Sequence, residues 1–474
     1  MPQLIWLRND LRSRDNTALM AAMAAGPTIA LYLISPEQWR RHDEAPAKID
    51  FWLRNLNELQ HNLARLNVPL LVELCDAWDQ APAVISRLVH QHSICAVHVN
   101  AQYAVNERRR DQQVAERLLT EHVAWHEYHD AALLAPGTVV TGSGGYFKVY
   151  SAFRKRCLSL LMDQPPAPGT LPPAQAPLPL TSTVITEQIA GLNADFTAFR
   201  NLWPAGEQVA LERLERFCRT QVEDYTQARD IPALAATSEL SPYLAAGVVS
   251  VRQCLQRAIA SNQGQIDGGS GGAQIWINQL IWRDFYLHVL VGYPRVSRHR
   301  PFRLETHYLP WRSSPDEFSA WQQGRTGIPI VDAGMRQLLA CGWMHNRLRM
   351  ICAMFLSKNL LIDWRLGEQH FMRHLIDGDL ANNNGGWQWS ASTGTDAAPY
   401  FRIFNPLSQG QRFDPDGTYI RQWVPELASA SARDLHRFGA LAGVNGYPAP
   451  LVELHSSRLR ALQAFKQLPS LPNQ

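Results

Sequence analysis

In the segment QIWINQLIWRDFYLH, Trp276, Gln279, Arg283 and Tyr286 fall at i, i+3, i+7 and i+10. A helix there puts aromatic planes, an amide and a cation on one face, with Trp282 to one side. A plain core helix would carry Leu and Val at these positions; a buried aromatic face with a paired Arg is the alternative. In WMHNRLRM, Asn346, Arg349 and Met350 share a helical face and Arg347 flanks it. An amide, two guanidinium forks and a soft thioether suit a cavity for a planar polar ligand with phosphates, or else a solvated basic face. The run DGDLANNNGGWQW, Asp377 to Trp389, reads as a poor helix in which Gly lets backbone approach a ligand. Its two Asp lack the further acid ligands of a metal loop, and His370 and His374 lack a third ligand, so no metal site is expected. Tyr225, Arg229 and the hydroxyls of Thr237 to Ser241 (TSELS) precede a helical run. They fit an anion site for pyrophosphate, or simple N-capping.

Two kinds of element must position these groups. Leu4–Leu7, Thr28–Ile34, Val68–Glu73, Ala96–Asn100 and Val123–Tyr128 are short β-branched or aromatic runs. Helical segments such as Lys48–Leu66 and Glu107–Leu119 separate them, which predicts an α/β doubly wound parallel sheet over residues 1–130. No GxGxxG follows the first strand, so the usual dinucleotide fingerprint is absent. Residues 131–195 read as a linker, with an extended Pro-rich stretch from Pro165 to Thr183. Residues 196–474 show helical periodicity and few strand signals, which predicts a larger all-helical domain.

The 474 residues exceed one ordinary core. Charge of +3 does not announce nucleic acid. Of the 45 basic residues, however, five are Lys and 40 are Arg, and Arg295, Arg298, Arg300 and Arg303 cluster beside His299. Eight of the 15 Trp fall between Trp276 and Trp389, which packing alone does not explain. The seven Cys form no CxxC pair and read as reduced, buried thiols. No apolar run reaches the roughly 18 residues that span a bilayer. Met1 to Arg12 carries no apolar signal region, so the expected location is the cytoplasm. Nothing demands more than a monomer.

Taken together, LIWLRNDLRSRDN, NER at Asn106–Arg108, TSELSPYLAAG, WINQLIWRDFY, GWMHNRLRM and DGDLANNNGGWQWSASTGTDAAPYFRIFNP resemble, in this order, the photolyase/cryptochrome family, specifically bacterial class I cyclobutane pyrimidine dimer photolyases. The resemblance spans nearly the whole chain. It implies FAD bound in the helical domain and light-driven repair of UV-damaged DNA. By position, Tyr225, Thr237, Ser238, Glu239, Leu240 and Ser241 match the phosphate-holding segment. Trp276, Arg283, Asp377, Gly378 and Asp379 match flavin and adenine contacts, and Asn383 matches the residue facing flavin N5. Trp387, Trp364 and Trp311 match the electron-transfer triad. Arg229, Trp282, Asn346, Arg347, Met350, Trp389 and Gln409 match the DNA-facing pocket, which takes a flipped-out dimer in base-flipping enzymes of this kind. His42, Asn106 and Glu107 match positions that bind a 5,10-methenyltetrahydrofolate antenna.

Two departures bear on these expectations. Ser297 and Arg298 stand where some relatives have Cys and Lys, so a deazaflavin antenna stays open beside the folate. Gln279 stands where class I members carry Glu, and relatives that act on the six-four photoproduct carry Gln. Those relatives have a His pair in the segment equivalent to WMHNRLRM; here His345 is followed by Asn346, with Met at 350, so cyclobutane dimers remain the expected substrate. The rival readings are a cryptochrome-type photoreceptor and a light-independent flavin or nucleotide-binding module. Signalling members often carry a C-terminal extension, and the end of the chain at Gln474 is read as favouring the enzyme.

Overall fold

The structure is a computed structural model that describes residues 1–185 and 196–469. The last ten linker residues, 186–195, and residues 470–474 lie outside the described part. Two compact units form: Met1–Glu223 with Ser238–Pro294, and Asp224–Thr237 with Arg295–Gln474. The boundary read at 131–195 is not one of these division points.

In the first unit β1 (Gln3–Leu7), β2 (Thr28–Ile34), β3 (Leu70–Leu74), β4 (Ala96–Asn100) and β5 (Ala124–Tyr128) form one sheet in the order β3-β2-β1-β4-β5. All pairings are parallel, as expected. The central strands are buried along their length, which is why they read as continuous apolar runs. Leu4, Trp6, Leu31, Val97 and Val99 pack there against Ile85, Leu88 and Val114 from flanking helices.

The Pro-rich stretch is extended but does not hang free. Gln175 N donates to Leu66 O at 3.1 Å, and Thr183 N to Leu70 O at 2.8 Å. Ser182 and Thr183 hydroxyls accept the amides of Leu70 and Val72, and Leu178 and Leu180 pack on the sheet core. The stretch therefore covers the open edge of β3. Pro cannot supply the ladder donors that a full strand needs, so hydroxyl acceptors do part of that work.

The turn after β1 is a buried charge network. Arg8 pairs with Asp111 at 3.2 Å, and Asp10 accepts from Asn100 Nδ2 at 2.7 Å. Asn16 caps the Thr17–Ala25 helix through Leu19 N at 3.0 Å. Asp130 takes both Arg12 and Arg252, the latter at 2.7 Å, and Asp15 takes Arg252 at 3.0 Å. Gly247 fits against this turn because it has no side chain: at φ +66°, a Cβ would lie 2.1 Å from Asn9 O.

Further along the Gly271–Gly292 helix, Asp284 is fully buried and accepts Leu133 N at 2.7 Å. Its Oδ1 makes no hydrogen bond. Burial raises its pKa to about 7, with Arg283 pulling the other way. The native state therefore binds this proton more tightly than the unfolded chain, so the stability it contributes is lost as pH rises from about 4 to about 7. Asp284→Asn is expected to flatten that part of the melting-temperature profile; the same fall with pH in variant and parent would contradict it.

The second unit is helical. Trp321, Phe355, Trp364, Phe371 and Trp387 lie in one buried cluster with Leu348, Ile351 and Tyr419. Among the described residues no helix is long and apolar enough to cross a membrane, and no group of three or more His, Cys, Asp or Glu is placed to hold a metal ion.

Candidate functional site

The run from Asp377 to Trp389 is not a poor helix: residues Leu380–Ala391 form an α-helix. Tertiary and local partners override the low propensity of three Asn and two Gly. Asp379 caps it, accepting Asn382 N at 3.1 Å and Asn382 Nδ2 at 2.9 Å. Asn383 Nδ2 donates to Glu368 O at 3.0 Å, and Asn384 Nδ2 to Glu368 Oε1 at 3.3 Å. Asn384 also accepts Gln388 Nε2 at 2.8 Å, one turn on. With its amide nitrogen committed to a carbonyl, Asn383 has its oxygen left to offer a ligand.

Asp377 precedes this helix and is buried. One carboxylate oxygen is held by Arg349 at 2.7 Å, while Oδ1 makes no hydrogen bond. Trp387 Nε1 is also buried and unbonded. Buried polar atoms are nearly always satisfied, so the Asp377 oxygen is a candidate partner for a polar ligand. Gly378 and Asp379 follow directly, and Tyr225, whose hydroxyl is pushed up by burial, lies under Arg229 at 5.4 Å in the same unit.

Trp364 and Trp387 are 1% and 2% exposed, whereas Trp311 is half-buried and packs at the rim of their cluster. The three thus run from interior toward solvent. Trp387 sits against the backbone of the Trp364–Met372 helix: a Cβ on Gly367 would lie 2.1 Å from its ring. Phe371 and Trp321 meet it edge-on with centroids 4.9 and 6.0 Å away.

Asn346, Arg347 and Met350 open the Asn346–Met354 helix, capped by His345 through Arg347 N at 3.1 Å. Burial lowers the His345 pKa to about 4, so the cap is a neutral acceptor near pH 7. Asn346 is exposed, and its amide lies 4.0 Å from Met350 Sδ. Arg347 pairs with Asp230 at 2.7 Å and lies over Phe413 at 4.3 Å, one turn after Gln409. Arg229 is 3.7 Å from the same Asp230. The second unit therefore gathers Arg229, Arg347 and the Gln409 helix around one carboxylate. Trp389 is half-buried on the Leu380–Ala391 helix.

The first unit holds the other expected residues. Trp276 is 3% exposed and packs on Phe217 at 5.0 Å. Arg283 donates to Ala131 O at 2.6 Å. Gln279 Nε2 turns back to Ile275 O at 3.3 Å. Trp282 is half-buried, and Glu239, at φ +49°, pairs with Arg213. Both amide atoms of Gln274, on the same helix, are buried and unbonded. Ser238, Leu240 and Ser241 precede or open the five-residue Ser241–Ala245 helix, and Thr237 closes the short segment of the second unit.

At the C-terminal ends of β1 and β2, His42, Asn106 and Glu107 do come together. Gln38 and Asn106 amides lie 2.9 and 3.1 Å from His42 Nε2, and Glu107 lies 3.9 Å from Nδ1. Burial lowers the His42 pKa and raises that of Glu107. His42 and Glu107 line a pocket with Trp6, Trp39, Trp78 and Arg110, in which Arg110 lies 4.7 Å over Trp6 and 4.4 Å over Trp78.

Reading the residues missed Glu368, Gln274, Asp230 and Tyr150. Asp230 adjoins Arg229 in the chain, a signal that could have been used. Glu368 and Tyr150 are joined to their partners only by the fold.

The chain matches a DNA photolyase family over residues 3–173 and the FAD binding domain of DNA photolyase over residues 276–467. It is 45% identical over 472 residues, 98% of each chain, to a deoxyribodipyrimidine photo-lyase of Salmonella typhimurium. Among solved structures it is similar to a bacterial class III photolyase from Agrobacterium tumefaciens, with TM-score 0.88, 33% identity, and 98% and 97% of the two chains covered. It is also similar to an archaeal photolyase from Sulfolobus tokodaii solved with two FAD molecules, with TM-score 0.81, 28% identity, and 99% and 100% covered. The chain belongs to the DNA photolyase family and carries its FAD-binding domain.

Proposed function

We propose that this protein is a deoxyribodipyrimidine photo-lyase, a carbon–carbon lyase that repairs cyclobutane pyrimidine dimers in UV-damaged DNA under light. The observation that carries this reading is the Leu380–Ala391 helix, which sets Asn383, Trp387 and Trp389 along a single rigid element. In this reading Asn383 addresses the flavin, Trp387 begins the Trp387–Trp364–Trp311 wire, and Trp389 faces DNA. Reduced FAD held there would supply the light-driven electron that splits the cyclobutane ring into two pyrimidines and is then returned.

The chain's own residues hold and shield that chemistry. The unbonded Asp377 Oδ1 and the amide of Asn383 fit a cofactor that presents ring N–H groups. Arg349 keeps Asp377 oriented. By their match to the family, Gly378, Asp379, Trp276, Arg283, Ser238–Ser241, Tyr225 and Thr237 are the further residues assigned to the cofactor. Arg229, Arg347, Asn346, Met350, Gln409 and Trp282 would meet the extruded dimer and its backbone. In functional terms residues 1–130 bind the antenna and residues 196–474 bind FAD and DNA, a division that cuts across the compact units. In this reading the enzyme works in the cytoplasm, where a bacterial cell keeps its chromosome.

The antenna is best read as 5,10-methenyltetrahydrofolate at His42, Asn106 and Glu107. His42 and Glu107 line the pocket at the C-terminal strand ends together with Arg110, Trp6 and Trp78, which supports an antenna there.

Gln279 offers an amide oxygen while its nitrogen is tethered to Ile275 O. A carboxylate there would make the stronger, charge-assisted bond to a base edge. Gln279→Glu is therefore expected to raise the quantum yield of dimer repair; an unchanged or lower yield would contradict it.

The function is tested by binding in the dark followed by light. The FAD-loaded protein is expected to retard an oligonucleotide with one thymine dimer in preference to the undamaged strand, and to release it under blue light. Equal retardation of both strands, or a complex indifferent to light, would overturn the reading.

A further inference from the structure

Trp282 has a partner whose place in the chain gives no hint of it. Tyr150, the first residue of the Tyr150–Asp163 helix, lies flat against it, with centroids 3.5 Å apart and planes 9° apart. The Tyr150 hydroxyl donates to Asn278 O at 2.9 Å. That carbonyl is the one that receives the N–H of residue 282 in an α-helix, so the hydroxyl bonds at the root of the indole it covers. Phe285 meets both rings edge-on, 5.7 Å from Trp282 at 80° and 5.8 Å from Tyr150 at 72°. One turn further, Arg154 donates to Asn278 Oδ1 at 2.6 Å and to Asp267 at 2.8 Å, pinning the two helices together. Tyr150 is 9% exposed, while Trp282 stays half-buried.

An indole that grips a base by stacking must hold its plane before the base arrives, because ordering it on arrival subtracts from affinity. A bare helix leaves Trp free to change rotamer; a parallel ring on one face, with an edge-on ring beside it, removes that freedom. We propose that Tyr150 is a positioning residue for damage recognition: it covers one face of Trp282 so that the other is presented, already oriented, to the extruded dimer. The proposal rests on the reading of Trp282 as a dimer contact. Tyr150 acts through Trp282, so its effect falls on discrimination between damaged and undamaged DNA.

The test uses the full-length, FAD-loaded protein, an oligonucleotide with one thymine dimer and its undamaged counterpart, and the variants Tyr150→Leu, Tyr150→Phe and Trp282→Ala. Tyr150→Leu, which keeps apolar bulk against Phe285, is expected to bind the dimer strand roughly five- to ten-fold more weakly and the undamaged strand within about two-fold of the parent. Tyr150→Phe keeps the stack and is expected to restore dimer binding to within about two-fold. Under light, the loss in Tyr150→Leu appears as a higher half-saturating dimer concentration and not as a slower rate at saturation. Unchanged dimer binding in Tyr150→Leu, with Trp282→Ala impaired, would overturn the proposal and leave Trp282 in its role. Equal loss on both strands would make Tyr150 a packing residue only and overturn the proposal. Parent-like dimer binding in Trp282→Ala would overturn the role of Trp282 itself.

Discussion

Trp387→Phe is expected to slow light-driven reduction of oxidised FAD at least about 100-fold, equivalent to about 2.7 kcal/mol on the barrier. Trp387 is 2% exposed, its ring lies against the backbone at Gly367, and its Nε1 makes no hydrogen bond. Phe fits the same slot and removes no hydrogen-bonded partner, so the fold is retained at a cost of about 1–2 kcal/mol for the smaller ring. What is lost is the side chain most readily oxidised by one electron. In the proposed wire the electron reaches Trp387 by way of Trp364 and half-buried Trp311, not by Phe371 or Trp321, which flank it. Protein reduced chemically beforehand still repairs, because the repair electron starts on the flavin. Bleaching of the oxidised flavin absorbance under blue light with a thiol reductant measures the effect; parent-like bleaching would remove Trp387 from the wire.

Asp130→Ala is expected to cost about 3–5 kcal/mol of stability. Asp130 is 3% exposed and holds Arg12 and Arg252, with the Thr17 hydroxyl at 2.7 Å. Removing it leaves the buried Arg12 guanidinium with backbone carbonyl partners and no carboxylate, while Arg252 keeps Asp15. Burial alone would raise the Asp130 pKa, but Arg12 and Arg252 hold it far below the usual carboxylate range. A depressed carboxyl stabilises the native state above its unfolded pKa of about 3.9 and loses that contribution as pH falls. The difference in unfolding free energy between parent and variant, taken from denaturant titrations near neutrality, should therefore be large and should shrink toward pH 2–3. A difference that stays constant with pH would mean that packing, not the ion pairs, holds this turn.

The sheet was legible because parallel strands buried on both faces read as short β-branched runs; Thr28–Ile34 and Ala96–Asn100 begin and end where the pattern says. The Leu380–Ala391 helix was not. Intrinsic propensity speaks against three Asn and two Gly, and the groups that outweigh it, Asp379 and Glu368, act through side chains that no local pattern displays. The Pro165–Thr183 stretch was legible as extended, but its attachment to β3 depends on where Leu70 and Val72 leave unpaired amides. For the candidate site, resemblance supplied the residues one at a time; His42, Asn106 and Glu107 lie together in the structure, as Arg229 and Arg347 do in the second unit. Groups that orient the site were hidden. Arg349 holding Asp377, Glu368 holding Asn383 and Tyr150 covering Trp282 join residues far apart in the chain.

The central claim is a light-driven chemical reversal, and the direct measurement is the fate of the lesion itself. An oligonucleotide with one cyclobutane thymine dimer and a second with one six-four product are each incubated with reduced, FAD-loaded protein in blue light or in darkness, and the bases are separated and weighed by mass spectrometry. The account predicts that the cyclobutane dimer returns to two thymines in light only, with no mass gained or lost, while the six-four product persists. No loss of the dimer in light, or equal loss in darkness, would contradict it.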